Sequence, residues 1–104
     1  MGAASVSIIL SILKQGDTYG YEIMKQLNEL SHGRIKWKEG SLYPVLKRLE
    51  AENRVKSYWN TTGYGRPRKY YTLLPEGEKA LQHEKEDWAL MQSIFSSLWD
   101  TSVQ

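Results

Sequence analysis

The 104-residue chain has the length of one domain, with 40% hydrophobic residues, 25% charged residues and a net charge of +2, which is ordinary for a globular protein. It contains no cysteine, which excludes disulfides, thiolate metal sites and cysteine nucleophiles. No apolar run approaches the roughly 18 residues of a membrane-spanning helix, and the first residues do not resemble a secretion signal. We therefore expect a cytoplasmic protein that does not enter a membrane.

The charges are distributed unevenly along the chain. Residues 1–73 hold 12 of the 14 Lys and Arg residues but only 6 of the 12 Asp and Glu residues, so residues 74–104 are acidic. A basic body with an acidic tail is typical of a module that meets a polyanion at one end. A short chain can also reach such a bias by ordinary fluctuation, so the charge alone does not decide.

Three helices are predicted in the first half of the chain. The first is Val6–Lys14, the second runs from about Tyr19 to Ser31 with Thr18 as its N-cap, and the third lies within residues 39–53, where Pro44 fits only near the helix start. Apolar stripes predict the buried sides: Ile8, Ile9, Ile12 and Leu13 in the first helix, Ile23, Leu27 and Leu30 in the second, and Leu42, Leu46 and Leu49, joined by Val45, in the third.

The pattern then changes from helix to strand and back. Val55–Trp59 and Arg68–Leu73 alternate and are rich in aromatic and β-branched residues, which predicts a β-hairpin with a long tip between them. Pro75 opens a long helix that reaches about Trp99. Its apolar residues fall near a seven-residue repeat that is broken at Glu84: Leu81, Trp88, Met91, Phe95 and Leu98.

This order of elements predicts a mainly α fold with a β-hairpin wing, a winged helix-turn-helix plus a C-terminal dimerisation helix. We assign residues 1–74 to the winged helix-turn-helix DNA-binding domain and residues 75–104 to the dimerisation helix. A helix of about 24 residues is roughly 36 Å long, which exceeds what one small winged domain can cover. Its apolar residues would otherwise face water, so we expect a homodimer.

Two groups of side chains predict binding of double-stranded DNA. If the leucines of the third helix face the core, Ser41, Tyr43, Lys47 and Arg48 project elsewhere, where they can reach base edges and phosphates. Alone, this pattern also fits a solvated helix face. The hairpin tip, from Gly63 to Lys69, adds three cations and no acid, and glycines let such a loop approach phosphates closely. The cations of the tip are Arg66, Arg68 and Lys69.

Three blocks of this sequence resemble the PadR family of bacterial transcriptional regulators. They are Tyr19-Gly-Tyr-Glu-Ile23, Gly40-Ser-Leu-Tyr-Pro-Val-Leu-Lys-Arg-Leu-Glu50 and Gly65-Arg-Pro-Arg-Lys-Tyr-Tyr-Thr-Leu73. The resemblance implies a homodimeric repressor that binds an inverted repeat, with Ser41, Tyr43 and Lys47 on the recognition helix. It places Arg66, Arg68 and Lys69 on the wing and Tyr19 in the second helix, where the side chain either touches the DNA backbone or packs internally.

The short C-terminal part implies the branch of that family with a single helix after the wing. That branch includes multidrug-sensing repressors, which hold flat aromatic drugs between paired tryptophans at the dimer centre. By resemblance, Trp88 is the residue expected to bind a small planar aromatic ligand, and two facing indoles could stack one. Filling the dimer core is an equally good role for Trp88. Other residues assigned to this ligand site are Ser7, Ile8, Met91 and Phe95.

Two alternatives to a ligand-sensing repressor stay open. Lys85 stands one turn before Trp88, where the drug-binding relatives have an aromatic ring, so a repressor without small-molecule input fits as well. A winged-helix module that binds proteins is a third hypothesis, although it gives no reason for the basic wing. We predict no enzyme, no cofactor and no metal, because no catalytic constellation or phosphate loop is present. His83 and its acidic neighbours are typical of a solvated helix face.

Overall fold

The computed structural model describes residues 4–61 and 65–100, so Gly63 and Tyr64 of the predicted hairpin tip and residues 101–104 of the predicted dimerisation segment lie outside the described residues. The order of elements confirms the predicted winged helix-turn-helix with a C-terminal helix. The elements are α1 (Ala4–Gln15), β1 (Thr18–Tyr19), α2 (Gly20–Leu30), α3 (Glu39–Ala51), β2 (Val55–Asn60), β3 (Arg68–Leu73) and α4 (Pro75–Trp99).

Helix α1 forms the centre of the core. Its apolar residues Ile9, Leu10, Ile12 and Leu13 are all buried, and it contacts α2, β3 and α4. The helix is buried on more than one side because other elements pack around it. Ile8, which we assigned to the buried stripe and to the ligand site, is half-buried and packs against the edge of this core.

Helices α2 and α3 pack through the predicted stripes, with one exception. Ile23 and Leu27 of α2 are buried, but Leu30, predicted to join them, is 70% exposed at the end of the helix. Leu42, Leu46 and Leu49 bury the inner side of α3 as predicted. Because these three leucines lie on one side of α3, the opposite side of the helix is exposed.

Two expectations about helix starts were wrong. Thr18 does not cap α2: the N-cap is Tyr19 and no side chain caps the helix, because Thr18 lies in a strand instead. Pro44 is the sixth residue of α3, which places it beyond the first turn. Proline has no backbone N–H, so Pro44 cannot donate to the Gly40 carbonyl as another residue would at this position.

The sheet has three antiparallel strands in the order β1-β3-β2, one more than the sequence predicted. The hairpin strands pair from Val55 opposite Leu73 to Asn60 opposite Arg68. The additional strand β1 consists of two residues, which pair with Tyr71 and Tyr70 of β3. The base of the wing is thus bound to the segment that joins α1 and α2.

The contacts that join helix α4 to the body include several from its first half. Gly77 and Leu81 are buried, Glu78 forms an ion pair with Lys14 of α1, and Glu84 accepts a hydrogen bond of 3.0 Å from the Ser7 hydroxyl. This hydrogen bond explains why the apolar repeat is broken at Glu84. None of the described helices combines the length and apolar character that a membrane crossing requires.

We predict that Gly77→Ala destabilises the fold by about 1–3 kcal/mol, the usual cost of overpacking. A methyl group at Gly77 would lie 2.2 Å from the carbonyl oxygen of Arg54, and a backbone atom cannot move aside as a flexible side chain can. The measurement is urea unfolding followed by circular dichroism. Gly40→Ala is the matched control, because a methyl group there meets nothing within 4 Å. Equal stability of the two variants would contradict this account.

Candidate nucleic-acid interface

The outer side of α3 presents the side chains that the sequence predicted for base recognition. Ser41, Tyr43, Lys47 and Arg48 are all exposed, while the leucines between them are buried. An exposed helix with a polar outer side is the form that enters the major groove, and its N-terminal residues are those that reach base edges. The outer side of α3 therefore exposes the kinds of side chain that a recognition helix uses.

The ring of Tyr43 packs against Gly20 of α2. It fits there because glycine has no side chain. A methyl group at Gly20 would lie 2.6 Å from the Tyr43 hydroxyl oxygen and 2.8 Å from Cζ of the ring. The ring therefore lies directly on the first turn of α2, and about 40% of the residue stays exposed. Tyr43 thus packs against α2 while part of the residue remains exposed.

The wing is tied to α3 by a hydrogen-bonded carboxylate. Glu50 near the end of α3 accepts bonds from the Ser57 hydroxyl at 2.6 Å and from the Ser57 backbone N–H at 3.2 Å. Tyr71 lies in the core nearby, and burial, followed by the charge of Glu50, raises the pKa of the Tyr71 hydroxyl. These contacts set the angle between the recognition helix and the strands of the wing.

The outer face of the sheet carries a second set of contacts to the α1–α2 junction. The guanidinium of Arg68 lies 4.5 Å from the ring centroid of Tyr19, and its Nη1 donates a hydrogen bond of 2.5 Å to the Tyr19 hydroxyl. Tyr58 donates to Asp17 at 2.7 Å, and this hydrogen bond raises the pKa of the Tyr58 hydroxyl. The wing is thus held to the junction by side chains as well as by β1.

A cleft of about 690 Å³ lies between the start of α3 and the wing. Five of the eight predicted DNA-binding residues line it, which are Tyr19, Tyr43, Arg66, Arg68 and Lys69. Ser41, Lys47 and Arg48 do not line the cleft and lie on the exposed surface of α3 beside it. The structure thus brings residues from positions 19 to 69 onto one basic surface.

Sequence reasoning missed three residues of this cleft: Tyr21, Glu39 and Trp59. Trp59 could have been found from strand alternation, because it lies directly opposite Lys69 in the hairpin and is 65% exposed. Glu39 is an acid in the first turn of α3, where the positive end of the helix dipole stabilises a carboxylate. Tyr21 lies in the block from Tyr19 to Ile23 that resembles the PadR family, but the sequence did not assign it to the DNA-binding surface.

A second groove, of about 310 Å³, runs between α1 and α4 and involves part of the predicted ligand site. It brings Ser7 and Trp88 together along with Glu84, Lys85 and other residues of the two helices. Trp88 is 57% exposed there. Met91 and Phe95 do not line this groove. Phe95 instead stacks on Trp99 further along α4, with ring centroids 4.4 Å apart.

The described residues contain no group of three or more His, Cys, Asp or Glu side chains that could hold a metal ion. The side chains that line the cleft are mostly basic and aromatic, with Glu39 as the one acid among those named above. An exposed helix with hydroxyl and cationic side chains beside a basic wing, on this fold, is typical of winged-helix transcription regulators.

The chain belongs to the PadR-like family of transcriptional regulators, whose family model matches residues 9–83. A PadR family regulator of known structure from Clostridium difficile is 38% identical, with a TM-score of 0.82 over 93% of this chain and 99% of that one. A transcriptional regulator from Clostridium thermocellum is 35% identical, with a TM-score of 0.80 over 90% and 91% of the two chains. An uncharacterised protein from Lysinibacillus sphaericus is 33% identical over 85% of this chain and 81% of its own length. Members of this family are regulators rather than enzymes.

We predict that Gly20→Ala displaces Tyr43 at little cost in stability. The added methyl group meets the far end of a side chain, which can rotate outward, so the thermal midpoint should fall less than for Gly77→Ala. The solvent accessibility of Tyr43 should increase, as measured by chemical modification of tyrosine followed by mass spectrometry. An unaltered modification rate at Tyr43 would contradict this packing.

Proposed function

We propose that this protein is a transcriptional repressor that binds duplex DNA in a sequence-specific manner, as a homodimer on an inverted-repeat operator. The observation that carries the proposal is the basic cleft, in which recognition helix and wing present Tyr43, Arg66, Arg68 and Lys69 on one surface. Occupation of a promoter by such a dimer would exclude the transcription machinery.

The proposed contacts divide into two kinds. Ser41, Tyr43, Lys47 and Arg48 would enter the major groove on α3, where hydroxyl, phenol and cationic groups can read base edges. The wing cations would bind phosphates, or the minor groove beside them, and so set the register without reading sequence. The exposed indole of Trp59, opposite Lys69, adds an apolar surface that fits a deoxyribose.

Dimerisation is supported by the second half of α4. The residues from Trp88 to Trp99 include six large hydrophobic side chains that are largely exposed, which are Trp88, Leu90, Met91, Ile94, Leu98 and Trp99. Burying each is worth about 1.5–3 kcal/mol before entropic costs. A second copy of the same helix would cover them, so we propose residues 75–104 as the dimerisation segment and residues 1–74 as the DNA-binding domain.

A ligand that releases the repressor is supported by the groove between α1 and α4. Ser7 and Trp88 lie on its two sides, and the exposed indole offers a flat apolar surface to a planar aromatic or cationic molecule. We propose that such a molecule binds at the dimer interface and changes the spacing of the two recognition helices. A repressor without this input remains the alternative.

We predict that Lys47→Ala, which removes a base-reading contact, and Arg66→Ala, which removes a contact from the wing, each weaken operator binding about tenfold. The measurement is fluorescence anisotropy with labelled duplex DNA from upstream of the protein's own gene, at two salt concentrations. Each lost phosphate contact should lower the slope of log K against log salt by about 1. Lys79→Ala is the matched control, because this substitution also removes one positive charge. It does so on α4, where Lys79 pairs with Glu76.

The result that would overturn the proposal is weak, equal binding to every duplex by the wild type and all three variants. In that case the winged surface would have to serve a protein partner instead.

We predict that flavone, a neutral planar aromatic, quenches the fluorescence of Trp88 and lowers the affinity of the protein for operator DNA. The quenching should disappear in Trp88→Phe and persist in Trp37→Phe, because Trp37 packs against the core away from the groove. N-methylquinolinium in a parallel titration tests whether a cation binds better. Quenching that survives in Trp88→Phe would contradict a site at this residue.

A further inference from the structure

The outer face of the sheet carries a row of three tyrosines, one from each strand. Tyr19 of β1 pairs with Tyr70 of β3, which pairs in turn with Tyr58 of β2. The ring centroids are 5.2 Å apart for Tyr19 and Tyr70 and 5.9 Å apart for Tyr70 and Tyr58, within the range of favourable aromatic pairs. The row is a continuous aromatic surface with a charged group at each end.

The two ends of the row differ in charge. At one end Tyr58 donates a hydrogen bond to the carboxylate of Asp17. At the other end Tyr19 accepts a hydrogen bond from the guanidinium of Arg68, which also lies over its ring. Arg68 therefore has two interactions with one side chain, and both restrict its rotamers. Asp17 accepts the hydrogen bond from Tyr58, and among the contacts of the described residues none joins Asp17 to Arg68.

An exposed arginine ordinarily loses much conformational freedom when it binds phosphate. An arginine that is already held in place loses less, because part of the ordering has occurred in the free protein. Tyr19 uses its hydroxyl as an acceptor and its ring face for the cation, so the donors of the guanidinium that point away from Tyr19 stay available. The contact is compatible with simultaneous binding of a phosphate.

We infer that Tyr19 is a positioning residue, which holds Arg68 in the orientation that binds DNA and does not itself need to touch DNA. The inference rests on the proposed function and goes beyond it. It also decides between the two roles that the sequence left open for Tyr19. The contribution of Tyr19 to DNA binding is then expressed through Arg68 and disappears when Arg68 is absent.

The test is a double-mutant cycle on the full chain with Tyr19→Phe, Arg68→Ala and the double variant. Tyr19→Phe keeps the ring and removes the hydrogen bond, so we expect operator affinity about threefold weaker, the scale of one modest hydrogen bond. In the Arg68→Ala background the same substitution should change the affinity by less than the error of the measurement. Anisotropy titrations at several salt concentrations give all four dissociation constants.

The salt dependence supplies a second readout that a structural role would not produce. Arg68→Ala should lower the slope of log K against log salt by about 1, because one phosphate contact is lost. Tyr19→Phe should leave the slope unchanged, since no charge is removed. Thermal midpoints of all variants show whether the fold is affected.

Tyr58→Phe is the matched control within the same row. It removes a hydroxyl from the opposite end, where the partner is Asp17, so it should show no coupling with Arg68. A further readout needs no DNA: nuclear magnetic resonance of the Arg68 guanidinium should show hindered rotation in the wild type and faster rotation in Tyr19→Phe.

The outcomes separate this inference from the proposed function. Equal losses from Tyr19→Phe in both backgrounds would mean that Tyr19 contacts DNA directly, and would overturn the inference while leaving the repressor proposal intact. Equal coupling of Tyr58 and Tyr19 with Arg68 would overturn it too, because the row would then act as one structural unit. A wild type that binds no duplex would overturn both proposals.

Discussion

The pairing of β1 with β3 is the constraint on which the recognition surface depends. It consists of only two residue pairs, yet it joins the α1–α2 junction to the base of the wing. Thr18 is buried and Tyr19 lies on the opposite, outer face beside Tyr70, because successive strand residues point to opposite faces. One short strand therefore fixes both the core contact and the outer contact that relate α2 and α3 to the hairpin.

Sequence periodicity predicted the elements that are long enough to show a repeating pattern of apolar residues. The leucine stripe of α3, the alternating hairpin strands and the long α4 were all predicted, and the family resemblance implied roles for them. Strand β1 was not predicted, since two residues have no period and its partner Tyr71 is more than fifty positions away. Thr18 was taken for a helix cap for the same reason: its local chemistry fits a cap, and only the tertiary pairing makes it a strand residue.

The candidate site was predictable in its charges and less so in its geometry. Cations and hydroxyls on α3 and the wing can be counted in the sequence, but the proximity of Tyr19 to Arg68 arises from strand register. Glu84 shows the converse case. A carboxylate in an apolar repeat looks like an interruption, whereas the structure gives it a partner in Ser7. Burying a polar group is tolerated where a hydrogen bond compensates it.

Helix α1 is the element through which the two halves of the protein could communicate. On one side Ser7 and Lys14 contact α4; on the other, the residues that follow α1 hold the wing through Asp17 and Tyr19. Consider a ligand that enters the groove between α1 and α4 and binds more tightly when α1 is displaced. Such a ligand would shift the wing and α3 together. Binding linkage is reciprocal, so operator DNA would weaken the affinity for that ligand by the same factor. A molecule that bound the groove without displacing α1 would leave DNA binding unchanged, however tight its own binding.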